Sequence, residues 1–139
     1  MTHPLLFQAT NCFDRICPQG CSLTPVEKDL YVKILVDRWP TQLHYEFRLD
    51  RKDGVLFDEL HIENKNLVWL GNVLNEVATK VKTIQGFALD YAVARSNKKW
   101  PSLRIEHAFA GADGDKAAQA MLEFINKSRD IITRALLAA

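Results

Sequence analysis

The sequence predicts a two-layer α+β domain: a mostly antiparallel five-stranded sheet with helices on one face, in the order α-β-β-β-α-β-β-α. Three observations predict it. Residues 41–65, TQLHYEFRLDRKDGVLFDELHIENK, alternate apolar and polar on both sides of Asp53-Gly54, the strongest short signal of a β-hairpin. Three other stretches carry apolar residues at helical spacing instead. Strands also follow one another directly, without the strand-helix alternation that builds parallel sheets, and one polar face per strand suits an antiparallel sheet covered on one side.

Taken in order, residues 4–16 place Leu5, Leu6, Ala9, Cys12, Phe13 and Ile16 on one helical stripe, with Pro4 in the first turn where its missing N–H costs nothing. Pro18, Gly20 and Pro25 make the stretch up to Lys28 a loop. Residues 29–37, DLYVKILVD, are rich in β-branched side chains and form a first strand, ended by Trp39-Pro40. The hairpin supplies strands two and three. Asn66 then caps a helix whose stripe is Leu70, Val73, Leu74, Val77, Val81 and Ile84, with Gly86 as its stop. Residues 87–94 and 103–109 alternate as strands four and five, joined by SNKKWPS. Asp113 or Asp115 opens a last helix of about 24 residues by the spacing of its apolar stripe, Ala117 through Leu136. Trp39-Pro40 and Trp100-Pro101 both precede strands that lead towards helices, a faint echo that reads as turns whose indoles cover sheet ends.

With Asp53 and Gly54 as the whole loop, Lys52 faces Val55, Phe47 faces Leu60 and Tyr45 faces Ile62 on a core face. The other face then pairs Arg48 with Glu59, Glu46 with His61 and His44 with Glu63. Each is a cation or potential cation against a carboxylate, contributing about 0.2 to 1 kcal/mol. The bland reading of this face is solvated charge that helps the strands pair. The functional reading makes His44, Glu46, Arg48, Glu59, His61, Glu63 and Lys65 a binding surface left uncovered by the helices.

A chain of 139 residues is one domain, residues 1–139, and at 47% hydrophobic and 25% charged it has the composition of a folded globule. A formal charge of +1 supplies no global field for nucleic acid or an anionic membrane. No basic leader with an apolar stretch opens the sequence and no apolar run reaches the roughly 20 residues of a bilayer span, so a cytoplasmic protein is expected. Cys12, Cys17 and Cys21 are odd in number and read as reduced thiols; with His3 they lack the paired C-x2-C knuckle of a zinc site. No cofactor is expected, since glycine-rich phosphate loops, nucleophile elbows and dinucleotide fingerprints are missing. His107 sits in an apolar alternation and reads as a satisfied core or edge histidine rather than a ligand.

Two arrangements carry chemistry. His44, His61, Glu46 and Glu63, two imidazoles and two carboxylates on neighbouring strands, form a candidate metal or acid-base set. Glu63-Asn64-Lys65 ends the third strand just before a helix, and in this element order the E-x-K triplet resembles the PD-(D/E)XK nucleases. The resemblance implies that Glu63 and Lys65 share a strand face and that a second acid on the neighbouring strand completes a magnesium site. Asp50 stands at the opposite end of the hairpin, roughly 26 Å away, so Glu46 takes that role, without the family's preceding Pro-Asp. The function expected is a non-catalytic binding or accessory module, acting as a homodimer through the polar sheet face or the last helix, where Leu122 and Leu137 flank the main stripe. The partner is a small molecule or a protein. A metal-dependent nuclease using Glu46, Glu63 and Lys65 is the alternative.

Overall fold

The computed structural model describes residues 3–93 and 100–139. Most of the SNKKWPS connection, and Ala94 at the end of the fourth predicted strand, lie outside them. The elements are α1 (Pro4–Ile16), β1 (Cys21–Leu23), β2 (Tyr31–Val36), β3 (Leu43–Asp50), β4 (Val55–Ile62), a 3-10 helix (Lys65–Leu70), α2 (Gly71–Val81), β5 (Thr83–Ile84), β6 (Phe87–Ala88), β7 (Asp90–Ala92), β8 (Ser102–Ala108) and α3 (Gly114–Ala138). The two-layer α+β class is as expected: α1, α2 and α3 pack on one face of a fully antiparallel sheet.

That sheet has six strands, in the order β1-β2-β3-β4-β8-β7, and a separate ribbon pairs β5 with β6. Two departures from the expected five strands have local causes. The predicted loop before Lys28 holds β1, which pairs Ser22 with Leu35 at the sheet edge. The predicted strand 87–94 is broken, so that Phe87–Ala88 joins the ribbon and Asp90–Ala92 joins the sheet, with the buried Leu89 at the junction. The second helix also differs. Residues 65–70 form the 3-10 turn, and α2 stops at Val81 because Lys82 turns to φ 66° and its N–H returns to the Ala78 carbonyl. Ile84 thus leaves the helix stripe, and Gly86 serves the next turn. There Gln85 and Gly86 have φ 51° and 80°, the two left-handed residues of a tight hairpin between Ile84 and Phe87.

The Asp53-Gly54 hairpin exists, but its loop spans residues 51–54 and Asp50 pairs with Val55. The type I′ two-residue loop that Asp-Gly favours needs positive φ at both positions, and here only Gly54, at 66°, supplies it. The Asp50 carboxylate instead accepts the Asp53 N–H at 3.0 Å and builds a wider turn. The register therefore shifts by two residues: His44 faces His61, Glu46 faces Glu59, Tyr45 faces Leu60 and Phe47 faces Asp58. A shift of two preserves the faces, because side chains alternate with period two.

The core lies between the sheet and the helices. Tyr45, Phe47, Leu56, Leu60, Ile34, Leu103 and Ile105 meet Leu6, Phe13, Leu74, Met121 and Phe124. Small residues let α1 and α3 approach closely: a Cβ on Gly114 would press on Gln8 and on the Ala9 nitrogen, 2.8 Å away. Trp39 closes one end, stacked on Tyr45 at 5.6 Å and donating its indole N–H to Thr133 at 3.0 Å. Among the described residues no helix is long and apolar enough to cross a membrane.

Candidate functional site

The helix-free face of β3 and β4 is not wet at its centre. His44, Glu46 and Glu59 are 0%, 3% and 1% exposed, which corrects the expectation of an open polar surface. One row across the sheet reads Lys33, Glu46, Glu59, Arg104, Asp90, and the next reads Tyr31, Arg48, Phe57, Glu106. Like therefore faces like at the centre: carboxylate opposite carboxylate and imidazole opposite imidazole.

Opposite charges meet along the strands and across the diagonals. Arg48 donates to Glu59 at 3.0 Å, and His61 Nδ1 lies 2.9 Å from the other oxygen of the same carboxylate. Arg48 Nε also approaches Glu46 Oε2 at 4.0 Å. Burial opposes ionisation of Glu59, but the hydrogen bond to His61 and the charge of Arg48 outweigh it and hold the carboxyl below its ordinary range. His61 is raised: burial would lower it, but the Glu59 hydrogen bond and the charges of Glu46, Glu59 and Glu63 favour the imidazolium. Phe57 is a feature the alternation concealed. It sits on this polar face between Arg48 and Arg104, whose guanidinium carbons lie 4.6 and 4.9 Å from its ring centre, and the stacking explains how it is buried there.

At the far end of the hairpin, His44 Nε2 lies 3.1 Å from Glu46 Oε1 and 3.4 Å from Glu63 Oε1. Ligand atoms of His44, Glu46 and Glu63 all fall within 4.8 Å of one another. His44 Nδ1 is 2.9 Å from the Thr41 carbonyl, and His61 Nε2 is 3.6 Å from Glu63 Oε1. Lys33 reaches Glu63 Oε2 at 3.5 Å. Glu63 stands just past the strand, its N–H still bound to the Gln42 carbonyl.

Six of the seven sequence-predicted site residues, His44, Glu46, Arg48, Glu59, His61 and Glu63, thus join one connected network. Lys65 does not. The strand ends at Ile62 and Lys65 opens the 3-10 helix, so Glu63 and Lys65 do not share a strand face.

A second histidine-carboxylate pair lies on the opposite face of the same strand. Asp58 is fully buried with Phe47, Leu56 and Leu60, and its Oδ1 is 3.3 Å from His107 Nε2 without the alignment of a hydrogen bond. Burial pushes the Asp58 carboxyl up to about 6 against the lowering pull of His107. His107 lies edge-on to Phe87 at 4.5 Å and lines a pocket of about 400 Å³ with Gly111, Asp113 and Lys116. His107 is a core histidine, as its alternation suggests, but not a satisfied one, since its buried Nε2 has no hydrogen-bond partner among the described residues. Asp58 was missed, although its parity with Leu56 and Leu60 marks it as a core-facing acid.

The three cysteines are free thiols. Burial raises Cys17 and Cys21, the latter despite Arg129, whose Nη1 is 3.5 Å from its sulfur, so both are weak nucleophiles. No protein-family model, curated protein or solved structure matches the chain.

Proposed function

We propose that the protein is a non-catalytic binding or accessory module that takes its ligand on the polar face of β3 and β4 and works as a homodimer. The observation that carries this reading is the ordering of His44, Glu46 and Glu59. Three ionisable side chains are buried on the helix-free face of the sheet and held by named partners, at a desolvation cost that strand pairing does not require. Pre-ordered polar groups bind with less loss of entropy than mobile ones. The dimer rests on α3, whose last turn exposes Leu137 to 81% and whose Leu122, about four turns earlier, is only partly buried. Backbone amide spectra recorded against a panel of small polar ligands test the face: shifts should cluster at residues 44–48 and 59–63. Shifts confined to other regions would remove that surface. A monomer by light scattering at micromolar concentration would remove the dimer.

A second reading, a magnesium-dependent nuclease resembling the PD-(D/E)XK class, is favoured by the convergence of Glu46 and Glu63. It needs Lys65 to reach them from the first turn of the 3-10 helix. On this reading Glu63→Ala abolishes metal-dependent cleavage, and a wild-type protein inert towards every nucleic acid with magnesium or manganese rules it out.

A further inference from the structure

We infer that His44, Glu46 and Glu63 form a binding site for one divalent transition-metal ion of zinc-like chemistry. The inference rests on the reading of the polar face as the binding surface and names what binds there.

The tautomer of His44 carries the first step. Its Nδ1 faces the Thr41 carbonyl at 2.9 Å, and a carbonyl only accepts, so Nδ1 bears the proton. Nε2 is then the ring nitrogen turned to the two carboxylates, 3.1 and 3.4 Å from their nearest oxygens. Two carboxylates converging on one imidazole nitrogen, on a side chain with no exposure to solvent, need a positive centre at that point, a proton on Nε2 or a cation in its place. A divalent cation provides that centre and balances the two carboxylates.

Distances and outer partners agree. Bonds of about 2.0 to 2.2 Å to imidazole nitrogen and carboxylate oxygen put tetrahedral ligand atoms roughly 3.3 to 3.6 Å apart. His44 Nε2 lies close to that separation from both Glu46 Oε1 and Glu63 Oε1. Each ligand also has the outer contact that fixes metal-binding side chains. His44 has the Thr41 carbonyl, Glu46 has Arg48 at 4.0 Å and Glu63 has Lys33 at 3.5 Å. His61, tied through Nδ1 to Glu59, presents Nε2 to Glu63 as a positioning residue. One nitrogen among oxygens selects zinc or cobalt over magnesium, which prefers an all-oxygen octahedron. Three protein ligands leave a fourth position for water or a ligand donor atom, and the partly exposed Glu63 marks the side from which the ion enters.

Zinc titration of the full chain by calorimetry should give one site per chain, unaffected by millimolar magnesium. Cobalt should produce the intense visible d–d bands of a tetrahedral site. Glu63→Gln, at a partly exposed position, should keep the fold by circular dichroism and weaken zinc at least ~10-fold. His44→Gln should remove the cobalt bands, and Cys17→Ser should leave them unchanged. No zinc binding, magnesium competing on equal terms, or zinc affinity unaltered by Glu63→Gln in a folded protein would each overturn the site. Polar-ligand shifts persisting on the same face without zinc binding would overturn the metal alone and leave the binding face standing. Loss of both would remove the two together.

Discussion

Asp58 and Glu59 are neighbours in β4, both are buried beside a histidine, and folding treats them in opposite ways. Glu59 accepts from Arg48 and His61 and is held ionised. Asp58 has only His107, at poor alignment among apolar side chains, and its carboxyl is pushed up to about 6. The difference shows that burial alone does not decide the charge of a carboxylate; the number of donors it finds does. The helix-free face collects cations from β2, β3 and β4 onto its acids. The core face offers Asp58 a single imidazole.

Substitutions at the two acids should separate these cases most strongly. Glu59→Ala leaves Arg48 and His61 without their shared acceptor. Breaking a buried pair costs 3 to 5 kcal/mol; because both cations are partly exposed, about 3 kcal/mol is expected in urea unfolding at neutral pH. A loss below about 1 kcal/mol would mean that the network is a surface one.

Asp58→Asn should act with pH. The folded-state value of about 6 lies above the ordinary 3.8, so folding favours the neutral acid. Wild-type stability therefore falls as pH rises from about 4 to 6, and the cost is complete above 6. The amide carries no such cost, and relative to wild type the variant should gain about 2 to 3 kcal/mol between pH 4 and pH 7. A pH-independent difference between the two proteins would show that His107 fully compensates the charge.

Tyr45→Phe tests a well-paired polar group on that same core face. Tyr45 meets Ser128 at 2.7 Å, and Ser128 keeps its own bond to the Phe124 carbonyl at 2.6 Å, so the loss should be about 1 kcal/mol by thermal or chemical unfolding. Lys33→Ala removes an outer contact of Glu63 and should cost at most about 0.5 kcal/mol, vanishing in high salt.

Much of the fold was legible because period alone carries it. The spacing of Leu5, Leu6, Ala9 and Phe13 marks α1 over Pro4–Ile16, and the stripe from Ala117 to Leu136 marks α3. The hairpin faces were legible for the same reason, and they placed His44, Glu46, Arg48, Glu59, His61 and Glu63 together. Their partners were not. Cross-strand pairing depends on the turn, and Asp53-Gly54 invites a two-residue loop that Asp50 replaces by capturing the Asp53 N–H. The predicted pairs Arg48-Glu59 and His44-Glu63 survive as diagonal contacts, since a shift of two leaves long side chains within reach.

Alternation by itself thus determined the layers of this protein, the face each side chain takes and the residues that share the polar surface, because backbone geometry enforces a period of two or 3.6 wherever a strand or helix forms. Only the tertiary structure decided that this surface is buried at its centre, that His44, Glu46 and Glu63 converge while Lys65 lies off the strand in the 3-10 helix, and that Asp58 meets His107. Those outcomes depend on how one turn sets the register and on which strand, β8, settles against β4. The first turns on a side-chain contact inside one loop that alternation does not record, and the second is a long-range choice.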